Sequence, residues 1–441
     1  MAKRILIVAL VACTVVACGV DQTGLPSNVV VVLLDTLRAD ALGIYGHEPE
    51  TAPFLRGLAA RSAVFERAFS TSSWTAPSVA SLFTSTYPWE HGVNFGFHAH
   101  RHHANRLWER GEAVLPLNQI PPSLATWPEI LRAAGYTTFA MASNRNLSRE
   151  LAFDRGFDRF LHSYQAPIGE LVVELQRWKA DLDQAEPYFL YLHFNDIHEP
   201  YEPRLPDYER HRTYAGEDES SYLSEIGYVD WWLEEIWHCL DLDDSTLFVL
   251  LSDHGEEFGD HGGTGHGPQL YGELNRVAMM FHGPSLGIVP QRIDANASLI
   301  DVLPTVIDLV GVPLLPTLRG YSLAPLLRQN SDGPRLLEEV ESRTLFAHRI
   351  DQNRPENELA AAIRGYWKII RSSQGDLELY DHRTDLGERS NVFEEHPALG
   401  HELSSRIDQQ IQETDAADPE RVEVPLDRSL LDSLEALGYI E

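Results

Sequence analysis

Ligand-type side chains stand directly after three runs of apolar, β-branched residues. Asn28–Leu34 (NVVVVLL) ends in Asp35, Thr246–Leu251 (TLFVLL) runs through Ser252 into Asp253 and His254, and Tyr188–Phe194 (YFLYLHF) leads to Asp196 and His198. Adjacent carboxylate and imidazole donors after a buried strand suit one divalent cation, with Mn²⁺, Zn²⁺ and Ca²⁺ all open. A fourth segment, Ser72–Ser85 (SSWTAPSVASLFTS), places Thr75 two residues before Pro77, with Val79, Leu82 and Phe83 at helical spacing. A threonine followed closely by proline predicts a helix N-cap. Its hydroxyl then lies in the positive field of the helix start, which favours an anionic phosphate or sulfate ester and helps form an alkoxide beside a metal.

Apolar runs of this length read as doubly buried strands of a parallel sheet, and open α/β sheets bind ligands at the carboxyl ends of their strands. Helical spacing in Ala52–Ala60, Pro122–Ala134, Gly169–Ala180, Ser221–Leu240 and Ala297–Val310 supplies helices for both faces. His198 lies in a proline-containing loop (DIHEPY), where a neutral imidazole can give a proton to a leaving oxygen. His261 and His266 share a glycine-rich loop (GDHGGTGHG) that could fold over an ester. The tract His98, His100, His102 and His103 has no spacing that defines a coordination geometry, and it reads as an exposed loop near the pocket.

The blocks NVVVVLLDTLRAD, SWTAPSVASLFTSTYPWEHGV, FLYLHFNDIHEPY, FVLLSDHGEEFGDHG and HGPQLYGE follow one another, and LELYDHRTDLGERSN comes after them. In this order they resemble the sulfatase family of the alkaline phosphatase superfamily, from about Asn28 to the end. The resemblance implies that Asp35, Asp253 and His254 bind the metal with Thr75 as nucleophile beside it. It also puts His198 near the leaving group, His266 (followed by the family's LYGE) near the charged ester oxygens, and Asn144 (in AMASNRNL) on the pocket wall. Sulfatases proper carry Cys or Ser inside a CxPSR-type sequence and oxidise it to formylglycine. Here Thr75 takes that place and Val79 replaces the arginine. Thr36 stands where many sulfatases have a second metal-binding Asp, and His266 near the place of their lysine. Threonine is a secondary alcohol, so its oxidation gives a ketone and closes the aldehyde-hydrate route. A threonine alkoxide can still attack phosphorus in line.

The chain has 441 residues, 43% of them apolar and 10% aromatic, enough for a large α/β core with a smaller appendage. Its formal charge of −31 argues against nucleic-acid binding, which needs a basic patch. Lys3 and Arg4 precede an apolar stretch, Ile5–Ala17, too short to span a bilayer. It ends in VVACG, which resembles a bacterial lipobox with Cys18 as the lipidated residue; Cys239 is then the other cysteine of the mature chain, so no internal disulfide forms.

The expected layout is a signal peptide at 1–18, a linker at 19–27, a catalytic domain at 28–330 and a C-terminal α+β subdomain at 331–441. The fold class is α/β, a mostly parallel sheet with helices on both faces. TLFAHR, LAAAIRG, WKIIRS and DLELYD predict a small antiparallel sheet, followed by helices at His396–Thr414 and Ser429–Leu437. The polar stretch Arg328–Glu341 is read as the boundary. The expected function is metal-dependent hydrolysis of a phosphodiester or phosphomonoester, with sulfate hydrolysis without formylglycine, phospho-headgroup transfer, and glycan binding without turnover as alternatives. The partner is an anionic ester, of a glycan or a lipid among others. The location is the periplasmic face of a membrane or the cell surface, with the lipid anchor as the sole membrane contact.

Overall fold

A computed structural model describes residues 28–97, 117–351 and 354–424. Cys18, the histidines from His98 to His103 and the expected helix Ser429–Leu437 lie outside the described residues. The strands of the first three hundred residues are β1 (Val29–Leu34), β2 (Ala63–Phe69), β3 (Leu117–Gln119), β4 (Thr137–Ala142), β5 (Arg159–His162), β6 (Tyr188–Phe194), β7 (Leu247–Ser252), β8 (Glu257–Phe258), β9 (Thr264–Gly265), β10 (Met279–His282) and β11 (Gln291–Ser298). Eight of them form one sheet in the order β11-β2-β10-β7-β1-β6-β4-β5. Only β10 runs antiparallel to its neighbours β2 and β7.

Both faces of this sheet are covered, as the continuous apolar strands require. In β1, Val29, Val31 and Leu33 enter one core while Val30, Val32 and Leu34 enter the other. Each side chain buried in this way contributes about 1.5–3 kcal/mol. Helices Thr75–Thr84, Trp127–Ala133, Val302–Leu309 and Gly333–Ser342 cover the first face. Helices Pro53–Ala59, Ile168–Gln184 and Glu217–Cys239 cover the second.

Two expectations differ from what is found. Ala297 and Ser298 end strand β11, and the α-helix begins only at Val302, because a short apolar run satisfies strand and helix patterns alike. The polar stretch taken as a boundary is largely the helix Gly333–Ser342, which anchors Leu336 and Val340, four residues apart, in the main core. Beyond it β12 (Leu345–Asp351), β13 (Arg354–Arg364), β14 (Trp367–Ser372) and β15 (Leu377–Asp381) form an antiparallel meander. Ala362, Ile369 and Leu379 pack on helix Pro397–Ala417 through Leu403 and Ile407, and Ala361, Ile370 and Tyr380 pack on Leu270. The chain then returns through β16 (Val422–Val424), which pairs with β3.

Candidate active site

Four neighbouring strands, β7, β1, β6 and β4, end at the same rim, and the loop residues that follow them form the site. Parallel pairing aligns Leu33 with His193 and with Leu251, so Asp35 and Asp253, each two residues further on, meet side by side. Both continue the parity of the face that holds Leu33 and Leu251, against which the Thr75–Thr84 helix packs. His193 shares that parity one pleat lower. Asp35, His193 and Asp253 offer ligand atoms within 4.8 Å of one another, all fully buried. Asp196 has the opposite parity. It does not reach the cluster, and its carboxylate accepts from the Ile168 amide at 3.0 Å, capping the Ile168–Gln184 helix.

Thr75 is the first helical residue and Trp74 the cap, with no side-chain capping bond. Thr75 is thus not the N-cap expected from the sequence, and its hydroxyl contacts Asp35, His254 and Asn144. Its Oγ1 lies 3.5 and 3.4 Å from the two oxygens of Asp35 and 3.5 Å from His254 Nε2. His254 Nε2 is 3.3 Å from Asp35 Oδ1 and 3.6 Å from Asp253 Oδ2, and His193 Nε2 is 3.5 Å from Asp35 Oδ2. His254 Nδ1 donates to the Gly255 carbonyl at 2.9 Å, which turns Nε2 towards the cluster. Asn144 donates from Nδ2 to Asp35 Oδ2 at 2.6 Å, to Asn195 Oδ1 at 3.0 Å and to Thr75 Oγ1 at 3.3 Å.

His198 and His266 form the outer wall, their rings 4.8 Å apart, with His266 4.7 Å from His254. His198 Nδ1 donates to the Glu199 carbonyl at 2.7 Å, and His266 Nδ1 donates to Glu256 at 3.0 Å. Both therefore keep Nε2 free. His261 is turned away: its nitrogens meet Glu273 at 2.6 Å and the Glu388 carbonyl at 2.9 Å, and its ring stacks on Tyr271 at 3.7 Å. Thr36 also faces away and donates to the Ile197 carbonyl at 2.9 Å. Sequence reasoning passed over His193, Asn195 and Glu256. For His193 the local signal was an imidazole in a strand otherwise apolar apart from two tyrosines, and its place beside Asp35 depends on the strand register.

A family model described as Sulfatase matches residues 27–312. The chain belongs to the sulfatase family. Rat arylsulfatase K is 22% identical over 88% of this chain and 78% of its own length. The phosphonate monoester hydrolase of Agrobacterium radiobacter superposes with a TM-score of 0.67 at 18% identity, over 89% of this chain and 96% of its own. A chain solved in complex with its substrate D-glucosamine-2-N,6-O-disulfate superposes with a TM-score of 0.68 at 16% identity, over 89% of this chain and 99% of its own. At these identities the two structures establish the shared fold. As a sulfatase-family member the protein is a hydrolase of ester bonds.

Sulfatase-family enzymes use a divalent metal ion, and the side chains here fit one. Asp253 Oδ2 and both ring nitrogens of His193 are buried without a hydrogen-bond partner among the described residues. Burial opposes charge on Asp35, but the hydrogen bond with His254 and the nearby histidines hold its carboxyl well below the usual range. Burial and the charge of Asp35 push Asp253 up. Burial works against a charged His254, yet Asp253 and Asp35 outweigh it and raise the imidazole to about 9. Two carboxylates thus share too little positive charge, the deficit that a dication fills. Burial and the neighbouring His266 lower His198.

Proposed function

We propose that this sulfatase-family hydrolase cleaves a phosphoester, a phosphodiester foremost and a phosphomonoester next, with Thr75 as nucleophile and one divalent ion. The observation that carries this reading is the position of Thr75 Oγ1, 3.4 Å from Asp35 and 3.5 Å from His254 Nε2 at a helix start. Asp35, Asp253, His254 and Thr75 would hold the ion. When bound, it would supply the positive charge that lowers the pKa of the Thr75 hydroxyl and offsets the negative charge on the ester oxygens. Thr75 Oγ1 gives up its proton to solvent and attacks phosphorus, and the P–O bond to the leaving alcohol breaks, giving phosphothreonine. His198 Nε2 donates a proton to the departing oxygen. Water then breaks the phosphothreonine bond and restores the hydroxyl. Asn144 holds the Asp35 carboxylate and the Thr75 hydroxyl at fixed separation, and His266 faces the ester oxygens.

A sulfate ester is the second reading, favoured by the sulfated sugar in the neighbouring structure and by the arylsulfatase relative. There water attacks and Thr75 only positions it, because threonine cannot become an aldehyde hydrate. Turnover of bis(4-nitrophenyl) phosphate against 4-nitrophenyl sulfate separates the two. We expect diester cleavage that falls at least about 10³-fold in Thr75→Ala, with phosphothreonine caught by mass spectrometry after acid quench. Sulfate cleavage that survives in Thr75→Ala overturns the nucleophile assignment. Lys3, Arg4, the apolar Ile5–Ala17 and the VVACG sequence support export, with a lipid on Cys18 holding the enzyme at a membrane surface.

A further inference from the structure

We propose that His193 Nε2 is a direct ligand of the divalent ion. It completes a set of two carboxylates and two imidazoles that takes a first-row transition ion of the Zn²⁺ class in preference to Ca²⁺. The proposal rests on the metal-dependent reading above and deepens it.

His193 is the penultimate residue of a central strand, in a run where every other side chain except the partly polar tyrosines is apolar. An imidazole there has no packing advantage over Leu or Val, and burying it without a partner costs about 1–3 kcal/mol. Neither ring nitrogen has a hydrogen-bond partner among the described residues. Among the described residues, its ion-pair partner is Asp35, with Oδ2 3.5 Å from Nε2. That separation is at the outer limit for a hydrogen bond. It matches another geometry: donors about 2.1 Å from a common ion sit about 3.4 Å apart along a tetrahedral edge. Three further donor pairs have similar spacing, 3.3 Å for His254 Nε2 to Asp35, 3.6 Å for His254 Nε2 to Asp253 and 3.5 Å for Thr75 Oγ1 to His254, and the ligand atoms of Asp35, His193 and Asp253 all lie within 4.8 Å of one another. His193 Nε2 thus lies where an ion held by Asp35 and Asp253 would be within its reach, from below the rim.

Donor chemistry then decides the ion. Ca²⁺ takes six to eight oxygen ligands, whereas imidazole suits Zn²⁺ and its first-row neighbours. One histidine among oxygens leaves both classes open, and a second tips the site to the transition ions.

The test uses the full-length protein loaded with Co²⁺, Zn²⁺ or Ca²⁺ and read by chelator competition and by the visible bands of Co²⁺. His193→Asn should weaken Co²⁺ and Zn²⁺ by more than about 100-fold, beyond the 10–100-fold typical of an outer partner, and should shift the cobalt bands. His193→Cys should show a thiolate-to-cobalt charge-transfer band, which a merely structural histidine cannot produce. If these variants fail to fold, the unmutated cobalt protein still decides: two contact-shifted imidazole N–H signals are expected in its proton NMR spectrum, and one overturns the proposal. A folded His193→Asn with unchanged affinity and spectrum also overturns it, while loss of metal in Asp35→Asn leaves the metal-dependent reading standing. Co²⁺ retained at full affinity by Asp35→Asn overturns both.

Discussion

Thr36 adopts φ 58°, a left-handed conformation that costs a β-branched residue about 1–3 kcal/mol. The cost is borne because the sharp turn after β1 aims Asp35 into the cluster while Thr36 turns out. Tyr222 holds the turn: its hydroxyl donates to the Thr36 carbonyl at 2.9 Å and accepts from the Arg38 amide at 2.8 Å. Tyr222→Phe should lower stability by about 1–3 kcal/mol in urea unfolding and weaken metal binding, since the Asp35 loop loses its clamp. His198 makes a second prediction at this scale. A 4-nitrophenolate leaves without a proton, so His198→Ala should cost little with nitrophenyl esters. With an alkyl leaving group it should cost about 10²–10⁴-fold. Because burial and His266 lower His198, the acid form is lost as pH rises through a value below the ordinary histidine range. The alkaline fall of kcat/KM for alkyl esters should therefore disappear in His198→Ala.

The segment between β7 and β10 carries His254, Glu256 and His266, and the C-terminal sheet holds it in place. A Cβ on Gly255 would stand 1.9 Å from the Glu273 carbonyl, so the loop folds tightly back on itself directly after His254. Glu388 fixes its far end. Its carboxylate accepts from Lys368 Nζ at 2.9 Å, from His382 Nε2 at 2.6 Å and from the Gly272 amide at 3.0 Å, while Lys368 also donates to the Leu270 carbonyl at 2.6 Å. Burial opposes the charge of Glu388, but Lys368 and His382 hold it down to about 2. Glu388→Gln should cost about 3–5 kcal/mol by leaving Lys368 buried and unpaired. The folded value lies below the unfolded one of about 4.3. This stabilisation is therefore complete above pH ~4.3 and is lost as pH falls through about 2. Denaturation midpoints of the two proteins should converge over that window.

For the whole molecule, −31 formal charges and a rim of buried carboxylates make metal occupancy a stability term as well as a catalytic one. Removing the ion with a chelator should lower the thermal midpoint, and Zn²⁺ or Mn²⁺ should raise it again with the logarithm of the free ion concentration. No helix among the described residues is long and apolar enough to cross a membrane. Labelled palmitate should enter the wild-type protein in a lipoprotein-processing host and be absent from Cys18→Ser. Label retained in the variant would refute the anchor.

The sequence by itself determined the doubly buried strands, the helices on both faces and the meander, because apolar periodicity records which faces each segment buries. It also marked Asp35, Asp253, His254 and Thr75, since each directly follows a strand or opens a helix. Only the tertiary structure decided which neighbouring side chains share their face. His193 looked like one more strand residue until the pairing of Leu33 with His193 placed it under Asp35. Asp196 looked like a ligand until the same register turned it to the opposite face. The helix Gly333–Ser342 was hidden because two buried residues, Leu336 and Val340, suffice to dock it while the rest stays charged. Register and docking are relations between distant segments, and no local pattern of residues encodes them.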